Sequence, residues 1–420
     1  MRSLGKLKTL LLLGMALPAV AMSQARAADV EVLHWWTSGG EAAAIGVLKE
    51  QLAEQGVGWT DFAVAGGAGS SALTVLKSRI LAGNPPTAAQ MLAQAVREWG
   101  QEGLLTTLDE VAAENDWDGI LPEAIQNIAK FDGSYVAVPV NIHRSNYIWS
   151  NSKVLAEHGL SIPTTWDEVF AVGEALRKAG VVPIAHGGQP WQEAMLFENI
   201  LISVDGGPET YRRLFVERDA TAVENPAFAE ALDIFRRLKS LMDPNFAGRD
   251  WNLATGMVIT GEAAMQFMGD NAKGEFVAAN LKPGVDYACT PLPNTQDDFL
   301  FYTDSFAMFE ATNEESKKAQ QIMAKTILEP IFQEAFNLRK GSIPVNQKVS
   351  LEKFDSCALN SREGLEAAAA QNTLMPSFAI SMAVPPAVEG AMFDALTNYF
   401  NNDSVTVDEV KAGFVNALRQ

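Results

Sequence analysis

Cysteine and histidine are nearly missing from this chain of 420 residues. The histidines are His34, His143, His158 and His186, none paired at ligand spacing, so the sequence offers no zinc or transition-metal site. No H-E-x-x-H helix and no G-x-S-x-G elbow occurs. The cluster Gly66-Gly67-Ala68-Gly69 lacks the Lys-Ser/Thr that a phosphate loop needs, and reads as a turn before a helix. His186-Gly187-Gly188 faintly resembles an oxyanion loop, but no nucleophile accompanies it. No cofactor and no catalytic residue is therefore expected. Carboxylates are plentiful, which leaves a glycosidase-type acid pair open.

Long apolar runs are also lacking after the first residues. Arg2, Lys6 and Lys8 make a basic head, Leu10 to Ala21 an apolar run, and Ala25-Arg26-Ala27 a small-residue cleavage site. That combination reads as a secretory signal peptide over residues 1–27, too short to span a membrane. No Cys lies near the cleavage site, which argues against a lipid anchor. Beyond it about 390 residues remain, enough for two domains with full cores.

Positive charge is scarce too. Setting aside Arg2, Lys6, Lys8 and Arg26 leaves 28 basic against 51 acidic side chains, a net charge of −23. Such a surface repels nucleic acid and anionic lipid. The two cysteines, Cys289 and Cys357, would be bridged in an oxidising compartment; the alternative is two buried free thiols.

What is present is an alternation of strand and helix signals. Val30–Leu33 reads as a strand opening into a loop, and Ser38 with Glu41 as a capping box. Ile45, Leu48 and Leu52 stripe the helix that follows. Phe62–Val64 is a second strand; Leu73, Leu76 and Ile80 mark a helix stopped at Gly83-Asn84-Pro85-Pro86. Further strands are expected at Tyr135–Val140, Val181–Ala185 and Phe299–Phe309, with Thr165 as an N-cap. Residues 191–277 read as mostly helical, and so does the tail. The class is α/β, opening on a largely parallel sheet.

Aromatic placement carries the functional signal. Trp35 and Trp36 sit at a strand end, the edge of an α/β sheet where ligands bind. Flat rings suit the C–H face of a pyranose, and charged side chains bind its hydroxyls strongly. Trp35, Trp36 and Glu41 would supply both within one loop. Taken alone, a Trp pair is more often core, and Glu41 no more than the cap.

Several longer stretches resemble one family. Pro163-Thr164-Thr165-Trp166-Asp167-Glu168 and Leu81-Ala82-Gly83-Asn84-Pro85-Pro86 are similar to segments of the family 1 solute-binding receptors that serve sugar importers. Trp36-Thr37-Ser38-Gly39-Gly40-Glu41, Gly248-Arg249-Asp250-Trp251-Asn252-Leu253-Ala254-Thr255 and Lys340-Gly341-Ser342-Ile343-Pro344-Val345 resemble the periplasmic glucose/mannose-binding members.

The resemblance implies a two-lobed, type II periplasmic-binding-protein fold with discontinuous lobes, three crossover segments and a sugar in the cleft. Lobe 1 would be 28–140 and 304–350, lobe 2 141–303 and 351–420. It also implies a monomer in the periplasm that hands its sugar to ABC permease subunits, and a disulfide between the two cysteines. Carried over by position, Trp35 and Trp36 are ring platforms. Glu41, Lys77, Asp304 and Lys340 grip hydroxyls. For Lys77 and Lys340 the residues alone favour a solvated helix face.

The chain departs from those relatives at two ligand positions. Asn271 stands where they carry Trp, and Ile380 where they carry a sugar-bonding His. The specificity is therefore expected to have moved from glucose to a deoxy, substituted or larger sugar. Two rival readings stand: an exported glycoside hydrolase, and a same-fold receptor for a non-sugar such as a polyamine.

Overall fold

The computed structural model describes residues 29–311 and 313–419. The signal-peptide reading lies outside them. Two sheets organise the chain. The first holds five strands in the order Trp59–Ala63, Val30–His34, Ala88–Met91, Ser305–Met308, Ala137–Pro139. Its three opening strands pair in parallel, and Ser305–Met308 runs antiparallel to both its neighbours. The second holds four strands in the order Tyr287–Pro291, Tyr147–Asn151, Ala263–Phe267, Val182–Ala185.

Local sequence explains the elements around the first strand. Val30, Val32 and Leu33 are fully buried. The chain then turns at Ser38, whose side chain accepts from the Glu41 N–H, and the helix Gly39–Glu54 begins on that capping box. Thr165 and Glu168 make the same device for the helix Trp166–Lys178.

Several expected elements are split or shifted. The Phe299–Phe309 stretch is two strands, Phe299–Tyr302 and Ser305–Met308, and they belong to different sheets. The first pairs with His143–Arg144 and Leu374–Pro376 in a small third sheet. Thr303 and Asp304 are the step between sheets. Tyr135–Val140 is likewise broken, with Ala137–Pro139 as its main strand. Residues 191–277 contain a strand as well as helices, Ala263–Phe267. All five of its residues are buried, so no alternation betrayed it.

The chain crosses between sheets at three neighbouring places. Val140 donates its N–H to the Asp304 carbonyl at 2.8 Å. Ile142 and Ile343 exchange backbone hydrogen bonds at 2.9 and 3.0 Å. The result is two α/β lobes stitched along one seam, without a floppy linker.

Cys289, on the edge strand Tyr287–Pro291, is disulfide-bonded to Cys357, in the first turn of the helix Ser356–Gln371. The bond spans 68 residues of chain. It removes about 4 kcal/mol of unfolded-state freedom in the chain-entropy picture. Among the described residues no helix is long and apolar enough to cross a membrane.

Candidate ligand site between the lobes

The cavity lies at the seam, and most of the expected residues meet there. Trp35, Trp36, Glu41, Asp304 and Lys340 line it, as do Asn271 and Ile380. Lys77 does not. It lies on the exposed face of the helix Ser70–Leu81 and borders a second, neighbouring cavity.

The tryptophans are held differently. Trp36 meets Phe306 edge-on, at 5.6 Å between ring centroids, and Phe336 at a tilt, at 5.3 Å. Trp35 rests against Gly69, whose φ is +78°; a Cβ there would stand 2.8 Å from the ring. Gly67 meets Trp191 in the same way, at 2.6 Å. The glycine turn thus passes between an indole of each lobe, and side chains at those points would push them aside.

The polar groups form one charged cluster. One Glu41 oxygen accepts from the Thr37 and Ser38 N–H groups, at 3.2 and 3.3 Å. The other lies 3.7 Å from Lys340 Nζ, itself 5.6 Å from the Trp36 ring centroid. Burial pushes the Glu41 carboxyl up, and Lys340 pulls it back.

Asp304 goes the other way. Burial works to raise it, but the hydrogen bond to His143 and the Lys340 charge prevail and hold it at about 2. Its Oδ1 accepts from Gln90 Nε2 and its Oδ2 from Asn141 Nδ2, both at 2.9 Å. His143 lies between Asp304 and Asp270, bonded to Asp270 through Nδ1 and stacked on Tyr302 at 4.5 Å.

The far wall holds what sequence reasoning missed: Trp191, Trp251 and Tyr302. Trp191 and Trp251 each occur within the first two residues of a helix after a loop. Trp35 instead follows a strand end, so the signal that marks it does not mark these two. Asn271 presents its Oδ1 to the Tyr302 hydroxyl at 2.8 Å. Ile380 enters on a loop held by buried carboxylates. Glu198 accepts from Ser377 Oγ and the Phe378 and Ala379 N–H groups, and Glu389 accepts from Ser381. Gln94 fastens this loop to the opposite lobe, its N–H and Nε2 each donating to a carbonyl, of Ser381 and Met382, at 3.1 Å.

The space enclosed is small, about 40 Å³. That is room for about three water molecules.

Chemically, this is a slot with aromatic walls and a band of charged hydrogen-bonding groups. Among the described residues no group of three or more His, Cys, Asp or Glu is placed to hold a metal ion.

Comparison with known proteins agrees with this architecture. A probable sugar-binding periplasmic protein of Rhizobium meliloti is 46% identical over 385 residues, 91% of this chain and 92% of that one. A protein of the same description from Brucella melitensis is 44% identical, over 97% of this chain and 96% of its own length. Among solved structures, a chitin oligosaccharide binding protein superposes with a TM-score of 0.77 at 20% identity, over 93% of this chain and 98% of its own. The bacterial solute receptor AcbH, which prefers β-D-galactopyranose, does so with 0.79 at 18%, over 94% and 98%. At such identities these structures speak for the fold alone, that of the type II periplasmic solute-binding proteins. Residues 22–325 match the bacterial extracellular solute-binding proteins, and the chain belongs to that family.

Proposed function

We propose that this protein is the periplasmic sugar receptor of an ABC importer. The observation that carries the reading is one cavity lined by four indoles, Trp35, Trp36, Trp191 and Trp251, together with Glu41, Asp304 and Lys340. Indoles suit the C–H face of a ring, and the charged groups pair with its hydroxyls. The names of the relatives, probable sugar-binding periplasmic proteins, support the same ligand class and compartment.

The cycle follows from the hinge. The parted lobes bind the sugar on Trp35 and Trp36, close on it, and present the closed face to the inner-membrane permease. Closure needs only that the sugar bind the closed state better than the open one. The lobes divide near residues 140, 303 and 350, and the receptor acts as a monomer.

The raised Glu41 beside the depressed Asp304 resembles the acid pair of a glycoside hydrolase. Both are already engaged, however, Glu41 by its helix cap and Lys340, Asp304 by Gln90, Asn141 and His143. Carboxylates so engaged are suited to holding a ligand's hydroxyls. A panel of chromogenic glycosides separates the readings, since the receptor releases no product.

The first test is thermal shift of the mature protein against glucose, mannose, galactose, xylose, small glycosides and a polyamine. A sugar at a hundredfold its Kd stabilises by about 2.7 kcal/mol, a shift of a few degrees. A shift with the polyamine alone overturns the reading.

A further inference from the structure

His143 borders no part of the small cavity, yet several groups that do are built around it. It is wholly buried, on the short strand His143–Arg144. Its Nδ1 bonds to Asp270 Oδ1, and its Nε2 stands 3.5 Å from Asp304 Oδ2. The two carboxylates come from different sides. Asp304 lies on the step into the five-stranded sheet, Asp270 just beyond the strand Ala263–Phe267 of the four-stranded one. The ring is also stacked on Tyr302, its register partner, at an interplanar angle of 18°. Tyr302 in turn donates its hydroxyl to Asn271, the residue after Asp270. The imidazole thus holds three groups that line the cavity: Asp304 and Tyr302 by direct contact, Asn271 through Asp270 and Tyr302.

We infer that His143 is a positioning residue of the ligand site. It reaches no ligand itself, and sets the angle at which Asp304 and the Tyr302–Asn271 pair meet a sugar's hydroxyls. The inference rests on the sugar-receptor reading and deepens it. A carboxylate that is already aimed loses less affinity to ordering when the ligand arrives. Asp304 is aimed by Gln90 Nε2, Asn141 Nδ2 and His143 Nε2. Gln90 belongs to the five-stranded sheet and Asn141 to the step beside Asp304. Of the three, His143 is the one that carries the bond on to the four-stranded side, through Asp270.

Two substitutions separate positioning from the filling of space. An asparagine amide falls near the place of Nδ1, a glutamine amide near that of Nε2. His143→Asn therefore keeps the partner of Asp270 and removes that of Asp304, and His143→Gln does the reverse. The probe is the sugar of the thermal-shift panel that binds the native protein best, titrated by calorimetry. His143→Asn should weaken it about tenfold, and His143→Gln by no more than about threefold. Placed on Asp304→Asn, His143→Asn should cost less than about twofold more, because effects that pass through one residue do not add. If His143→Asn does not fold, Asp270→Ala frees the ring without altering it, and the same two losses are expected.

Equal losses in His143→Asn and His143→Gln overturn the inference and leave the receptor reading intact. So does a loss that multiplies in full with that of Asp304→Asn, and so does an affinity that His143→Asn leaves unchanged. Binding of no sugar by the native protein overturns the receptor reading itself, and the inference with it.

Discussion

Asp304 and Asn141 hold each other by a reciprocal pair of hydrogen bonds. The Asp304 N–H donates to Asn141 Oδ1, and Asn141 Nδ2 donates to Asp304 Oδ2, both at 2.9 Å. Each residue lies where the chain steps between the five-stranded and the three-stranded sheet. The clasp therefore joins two crossovers and aims a cavity carboxylate at the same time. Asn141→Ala strips Asp304 of one donor in a fully buried place. Losing such a bond costs about 1–3 kcal/mol. The expected outcome is a lower denaturant midpoint together with sugar affinity weakened about tenfold. Chemical unfolding and calorimetry on the same preparation check both.

Gly69 predicts a specific effect on Trp35. Its φ of +78° disfavours any side chain, and a Cβ would press on the indole. Gly69→Ala should cost about 1 kcal/mol or more of stability. It should also displace the ring and weaken sugar binding about tenfold. Gly46, in the open on the helix Gly39–Glu54, is the control. Gly46→Ala should leave binding unchanged and raise the melting temperature slightly.

Acidity should stabilise the protein. Burial raises both Glu198 and Glu389 to about 7, against the hydrogen bonds from Ser377 and Ser381 that favour their charged forms. A carboxyl raised in the folded state holds a proton that the unfolded chain gives up. Its contribution is complete below the unfolded value near 4.5 and is lost as pH rises through 7. Each group accounts for about 3 kcal/mol at most. Melting temperatures should thus be higher at pH 5.5 than at pH 8. Asp304 acts oppositely, and its stabilisation fades only as pH falls below about 4 toward 2.

Ile380 should set the specificity. It lines the cavity, and a sugar hydroxyl brought against its side chain has no partner there. An unpaired buried hydroxyl costs about 1–3 kcal/mol, a factor of ten or more in affinity. Ile380→His should raise affinity for glucose and lower it for whatever sugar the native protein prefers. Competition calorimetry with the two sugars reads this directly.

Much of the near wall of the site was legible because it lies within one stretch of chain. Trp35, Trp36 and Glu41 are fixed by a strand end and a capping box, both local signals. Asp304 and Lys340 join them from far away in sequence, and only the resemblance to known receptors pointed to those two positions. Lys77 shows the limit of that route. Its helix is where expected, but the face it occupies turns the ammonium to the neighbouring cavity. The far wall was not anticipated. Trp191 and Trp251 look in sequence like ordinary helix-start aromatics, and only the tertiary fold brings them to the cavity of Trp35. His143 was set aside because no ligand spacing accompanied it. Its two aspartates come from residues 270 and 304, which no spacing rule could pair with it. The strand Ala263–Phe267 lies inside a stretch that reads as mostly helical, because complete burial erases the alternation that marks a strand.

The most direct test of sugar capture between the lobes is calorimetric titration of a mono- and disaccharide panel into the native protein and into Trp35→Ala. The account predicts that at least one sugar binds the native protein with micromolar Kd or tighter, and that Trp35→Ala weakens the same sugar about a hundredfold while the fold survives. Absence of binding by every sugar in the panel, or an affinity that Trp35→Ala leaves unchanged, would contradict it.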